Sequence, residues 1–147
     1  MSESQMRARI VNALRQLDAH AVENAARAGT PDVECILGWL ELKDQDFTKG
    51  NVLPLRHFKA QQRVWLHRRW KMGGLAVLLI RTNLGWFMLD GVTAAKAPGK
   101  DEMWFRENCI ASWGVRGPTD KELFECVLNT CAQGKTSSSF AAGAASA

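Results

Sequence analysis

A chain of 147 residues is long enough to enclose one hydrophobic core and lies near the commonest single-domain size. With 46% hydrophobic residues, six Trp and no Tyr, it is not a disordered chain, and a net charge of +4 makes a polyanion its natural partner. The four cysteines, Cys35, Cys109, Cys126 and Cys131, lie far apart and contain no C-x-x-C pair, so neither a zinc knuckle nor a disulfide framework is indicated, and free thiols in a reducing compartment are the simpler reading.

The N-terminal stretch MSESQMRARIV mixes charges of both signs and lacks the apolar core of a signal peptide. The longest apolar run, LAVLLI, is too short to cross a bilayer, so a soluble intracellular protein without membrane partners is expected.

In SESQMRARIVNALRQLDAH, Met6, Ile10, Leu14 and Leu17 recur at three- and four-residue spacing behind a Ser2-x-x-Gln5 capping box, predicting an amphipathic first helix. A short strand at HAVENA, a turn at RAGTP, a strand beginning near Asp32 and a strand in GWLELK follow, the last two joined through Gly38 as a hairpin. DQDFTKGNVLP reads as a loop. LRHFKAQQRVWLHRRWKMGG has no breaker before its glycines and reads as a helix.

LAVLLIR is apolar on successive residues, as in a strand buried on both faces, and WFMLD is its antiparallel return or an edge strand. Residues 91–118 show no clean period. A Thr119-x-x-Glu122 capping box opens a last helix with a stripe of Leu123, Phe124, Val127, Leu128 and Cys131, and KTSSSFAAGAASA reads as a flexible tail. The expectation is a single α/β domain over residues 1–134, with a central mixed sheet flanked by helices, followed by a tail over 135–147.

Strand residues two apart share a face, so Glu41 and Lys43 lie on one side of GWLELK, and Leu40 and Leu42 on the other. Hairpin pairing brings Asp32, just behind its Gly-Thr-Pro turn, close to Glu41. Two carboxylates and an ammonium then converge, as metal-assisted phosphodiester hydrolysis requires. Mg²⁺ takes oxygen ligands, commonly one or two carboxylates, here Asp32 and Glu41 with the Leu42 carbonyl. Lys43 orients the attacking water or balances transition-state charge. A solvated Glu-Lys pair on a surface strand is the plain alternative.

The order Gly29-Thr30-Pro31-Asp32, Glu41-Leu42-Lys43, AQQRVWL, then Gly73-Gly74 before LAVLLIR resembles the PD-(D/E)xK nuclease superfamily, and within it the small VRR-NUC and Holliday-junction-resolvase-like phage and bacterial members. The likeness covers about residues 3 to 81. It implies a restriction-endonuclease-like core and Mg²⁺-dependent DNA cleavage, with Mn²⁺ as a possible substitute. Asp32 and Glu41 would be metal-binding, Lys43 catalytic, and Gln62, with Gln61 adjacent, the family glutamine. A further glutamate often lies on the first helix or near the first strand; both Glu3 and Glu23 qualify, and Glu23 is preferred. The resemblance also implies a branched substrate such as a four-way junction and the cytoplasm of a bacterial or phage-infected cell; cutting two strands symmetrically would call for a homodimer.

From Arg56 to Lys71 the chain carries Arg56, Lys59, Arg63, Arg68, Arg69 and Lys71 without an acidic residue, interleaved with Phe58, Trp65 and Trp70. Arg56, Lys59 and Arg63 are the expected phosphate contacts, against the alternative of a solvated polar face over core aromatics. His20, His57 and His67 receive no general-base role, and no cysteine is paired with a histidine in a nucleophilic pattern. Rival readings are a sequence-specific restriction-like or homing endonuclease, a non-catalytic nucleic-acid-binding module, and an interaction protein using its Trp residues.

Overall fold

The computed structural model describes residues 1–22 and 29–146, with side chains described through 133. Helix α1 (Glu3–Ala13) opens on the expected capping box: Ser2 Oγ accepts from the Gln5 amide at 3.2 Å, and Gln5 Oε1 accepts from the Ser2 amide at 2.8 Å. Its apolar stripe is buried at Met6, Ile10, Leu14 and Leu17. After a 3₁₀ turn at Arg15–Leu17, the strand expected over HAVENA is found at β1 (His20–Ala21); positions 23–28, including Glu23, lie outside the described residues.

Strands β2 (Val33–Cys35) and β3 (Gly38–Asp44) form the expected hairpin, with Val33 opposite Leu40, Glu34 opposite Trp39 and Cys35 opposite Gly38. The loop that follows holds β4 (Val52–Leu53), which pairs antiparallel with β7 (Lys100–Asp101). Helix α2 (Ala60–Lys71) begins later than the sequence pattern suggests. Leu55 has a left-handed backbone (φ 49°), and the Phe58 amide donates to its carbonyl at 3.0 Å, so a tight turn with both side chains buried precedes the helix.

β5 (Leu75–Thr82) and β6 (Gly85–Asp90) form an antiparallel pair, followed by α3 (Gly91–Ala94), α4 (Glu102–Asn108) and β8 (Ala111–Trp113). β6 is interior and not an edge, because β8 pairs along its other side. Thr119 and Glu122 make the second expected capping box, at 3.0 and 3.1 Å, at the start of α5 (Asp120–Ser146). Only Leu123 and Val127 of the expected stripe are fully buried, Leu128 being 37% exposed. The helical assignment continues through the segment read from sequence as a tail; alanine, frequent there, has the highest helix propensity of any residue.

The sheet order is β1-β2-β3-β5-β6-β8, with β3 and β5 parallel and the other pairs antiparallel. This is a single α/β domain with a mixed sheet flanked by helices. α1 and α5 cover one face, over Leu40, Leu42, Val77 and Leu79; α2, α3 and α4 cover the other, over Leu78, Ile80, Phe87 and Leu89. Every residue from Leu75 to Ile80 is buried, as its continuous apolar run anticipates, and each large aliphatic side chain so buried contributes about 1.5–3 kcal/mol. No helix among the described residues is long and apolar enough to cross a membrane.

One glycine ties the hairpin to α2. Gly29 has φ +88°, and a Cβ there would lie 2.5 Å from the Gln61 carbonyl oxygen, so the turn before Asp32 rests directly on the first turn of α2. Gly50 has the same φ with nothing within 4 Å. Gly50→Ala is therefore expected to cost about 1–2 kcal/mol of conformational strain, and Gly29→Ala a further 1–3 kcal/mol, roughly, from overpacking. Urea denaturation of both variants measures the difference; equal losses would mean that the turn does not rest on the helix.

Candidate active site

Continuing the β2–β3 register by one pair sets Asp32 opposite Glu41. β2 has ended by then, and the Asp32 side chain takes over its ladder role: Asp32 Oδ2 accepts from the Leu42 amide at 2.9 Å. A strand residue's carbonyl leaves by the same edge as its amide, so the Leu42 carbonyl is directed toward the Asp32 side as well.

Glu41 and Lys43 are in register with Leu78 and Ile80 of β5 and share their face, the one covered by α2. Glu41 is only 1% exposed and Lys43 8%. The plain alternative of a solvated surface pair is thereby removed. Lys43 Nζ lies 3.0 Å from Glu41 Oε1. Gln62 Nε2 donates to the same oxygen at 3.0 Å, while Gln62 Oε1 accepts from the Lys59 amide at 2.8 Å, fixing the orientation of the side-chain amide. Gln62 is thus the glutamine brought to the centre. Gln61, about 100° further round the helix, lines the neighbouring groove, and its backbone meets Gly29.

Both donors converge on Oε1, and Glu41 Oε2 is buried without a hydrogen-bond partner. A buried acceptor left unpaired costs about 1–3 kcal/mol, and more when charged. Burial pushes the Glu41 carboxyl up to about 8, and the neighbouring Asp32 carboxylate pushes in the same direction; Lys43 pulls it down without offsetting them. Asp32 lies close enough to bond the protonated form of Glu41. With both carboxyls ionised each has only acceptors to offer, so a proton or a cation is needed between them.

These residues fit a divalent cation: an orphaned buried oxygen on Glu41, a carboxylate beside it, and a strand-edge carbonyl at Leu42. Among the described residues no set of three or more His, Cys, Asp and Glu is gathered to hold a metal. Mg²⁺ needs fewer protein ligands than that, because it retains water and takes substrate oxygens.

On the other side of Asp32 a cleft of about 250 Å³ is lined by Glu3, Ser4, Arg7, Asp32 and Leu42. Glu3, the alternative to Glu23, therefore shares a cleft with Asp32, at the start of α1. Arg7, one helical turn further on, escaped the sequence reading; its place behind Glu3 at i+4 on one helix face was the available signal.

The expected phosphate contacts diverge. Arg56 and Lys59 are exposed where the chain enters α2, the Arg56 amide donating to Gln45 Oε1 at 3.3 Å. Arg63 is partly buried and binds the Phe58 carbonyl, its guanidinium 6.0 Å above the Phe58 ring. Phe58 itself belongs to the core, as one reading of the basic helix holds. His20 lies 3.3 Å from Glu34, away from the site. The Cys35, Cys109 and Cys126 thiols are raised by burial, as suits inert thiols. No protein-family model matches the chain, and no curated protein matches it.

The raised Glu41 pKa sets the sign of a stability effect. Between the ordinary carboxyl value of 4.5 and about 8, the folded state holds a proton that the unfolded state has lost. Without divalent ions, this contribution to stability is complete below pH 4.5 and fades as pH rises toward 8, with a limiting slope of about 1.4 kcal/mol per pH unit. Unfolding free energies of the natural chain and Glu41→Gln, measured across that window in chelator, are expected to diverge in slope accordingly. Parallel profiles would show that Glu41 titrates normally.

Proposed function

We propose that the chain is a divalent-metal-dependent endodeoxyribonuclease, hydrolysing phosphodiester bonds at a centre formed by Asp32, Glu41 and Lys43. The observation that carries this reading is the buried, partnerless Glu41 Oε2 beside Asp32, with Lys43 and Gln62 both committed to Oε1. Beside Asp32 that oxygen is satisfied only by a shared proton or by a cation, and a Glu-Lys pair serving structure alone gains nothing from such a second carboxylate.

In this reading Asp32 and Glu41, with the Leu42 carbonyl, hold Mg²⁺, for which Mn²⁺ can substitute. When bound, the ion supplies Lewis-acid polarisation of the phosphate and a water of lowered pKa. Gln62, anchored on the Lys59 amide, keeps Glu41 in one orientation. Lys43, drawn against Glu41, presents its ammonium where negative charge grows on the phosphoryl oxygens. Glu3, in the cleft it shares with Asp32, is placed to hold water, and Arg7 to meet a flanking phosphate. Arg56 and Lys59 add sequence-independent attraction to the backbone.

The resemblance to PD-(D/E)xK nucleases supports the same reading, and the branched substrate, the role in recombination and the cytoplasmic setting are proposed on that resemblance alone. Symmetrical cutting of a four-way junction needs two sites related by a two-fold axis, hence a homodimer.

The test is incubation of a labelled four-way junction and a matched linear duplex with the protein, in Mg²⁺ and in chelator. Cleavage of the junction is expected only with the ion, and Lys43→Ala should lower the rate at least about a hundredfold, as loss of a transition-state electrostatic contact does. Undiminished cleavage by Lys43→Ala would overturn the assignment, and scission of a linear duplex at one sequence in preference to the junction would select a sequence-reading enzyme.

A further inference from the structure

We infer that the open groove between the β2–β3 turn and α2 is a single-strand track, which takes the unpaired nucleotides adjoining the phosphate held at Asp32 and Glu41. This inference rests on the nuclease reading and adds to it a class of substrate feature: a strand that leaves the duplex next to the cut.

The groove has a volume of about 950 Å³. Its position makes it an extension of the site. On one face of the hairpin the pair Asp32/Glu41 is followed, two residues along each strand, by Glu34/Trp39, a spacing of about 7 Å. Across from it, the first turn of α2 divides its residues, Gln62 turning to Glu41 while Gln61 lines the groove. A strand whose phosphate sits at the carboxylates thus has its next nucleotide over Trp39.

The lining has the chemistry of a base-stacking channel and not of a closed small-molecule pocket. Trp39 and Trp65 meet edge to face, 5.8 Å between ring centroids, and form the floor. Arg69 covers Trp65 at 3.5 Å and reaches toward Trp39 at 5.6 Å. Arg68 stands exposed on the helix side. The walls carry Ile36, Val64 and Met72, which are 67%, 55% and 88% exposed. Large apolar side chains this open, beside the exposed guanidinium of Arg68, suit a ligand that is apolar on its faces and anionic along its backbone. Unpaired DNA is such a ligand, whereas duplex hides its base faces. Glu34, the acidic residue of the lining, lies 3.3 Å from the His20 ring.

The experiment is an anisotropy titration of the intact chain in chelator with a labelled single-stranded oligonucleotide and the blunt duplex of the same sequence at one fixed salt concentration. The single strand is expected to bind more tightly and to quench Trp fluorescence, with the quench diminished in Trp39→Phe. The exposed substitutions Val64→Asp and Arg68→Glu, checked for retained fold by circular dichroism, should each weaken single-strand binding roughly five- to a hundredfold, as loss of one stacked base does, while leaving duplex binding nearly unchanged. Equal affinity for the two forms, or variants without effect on the single strand, would overturn the inference. So would a concentration-dependent dimer that Val64→Asp dissociates, since a second copy would then occupy the groove. Because no cleavage is read, selective binding in a chain that proves unable to cut would refute the nuclease reading and leave the track in place.

Discussion

The carboxyl group of Glu41 is the point on which the molecule turns. It lies between sheet and helix, where water reaches 1% of the residue, with one oxygen held by Lys43 and Gln62 and the other facing the Asp32 carboxylate, which it can bond only when a proton lies between them. An ionised carboxylate in such a place is unfavourable unless something positive reaches its second oxygen. Asp32 makes that worse, raising the Glu41 pKa where a structural partner would lower it. The fold maintains an unfavourable arrangement at its centre, and such arrangements cluster where chemistry is done.

The rest of the architecture holds that arrangement in place. The antiparallel hairpin register sets Asp32 beside Glu41, and the parallel pairing of β3 with β5 forces the chain to cross over through α2, which closes the lid on Glu41 and carries Gln62 to it. Gly29 lets the turn before Asp32 come within van der Waals distance of α2. On the far face, Leu40 and Leu42 anchor β3 against α1 and α5, so the strand cannot rotate its charged face outward. Helix α2 serves two sides at once, with Gln62 on the reacting centre and Val64, Trp65 and Arg68 on the groove.

Much of this was legible in the sequence because it is local. Both capping boxes, the hairpin about Gly38 and the doubly buried β5 follow from patterns a few residues long, and Asp32, Glu41 and Lys43 lie together as hairpin pairing and strand alternation suggest; Gln62 was reached only through the family resemblance, with Gln61 left open beside it. What escaped is non-local or too short to have a period. β4 and β7 are two-residue strands that exist only by pairing with each other across nearly fifty residues of chain. The left-handed Leu55 and the turn that joins it to Phe58 keep the first residues of a breaker-free stretch out of the helix. Alternation in GWLELK shows that Glu41 shares a face with Lys43, but not that a helix covers that face. The nearness of Glu3 to Asp32 depends on how α1 lies against the sheet, which no spacing encodes, and so proximity in sequence favoured Glu23.

If Glu41 and Asp32 form a cation seat, filling it must expel the proton that Glu41 otherwise keeps. Isothermal titration of the protein with Mg²⁺ or Mn²⁺ at pH 7, in two buffers of different ionisation enthalpy, counts the protons released. With a Glu41 pKa of about 8, close to one proton per cation is expected, and none in Glu41→Gln, where binding itself should be largely lost. Cation binding that releases no proton, or that survives intact in Glu41→Gln, would contradict the account at its centre.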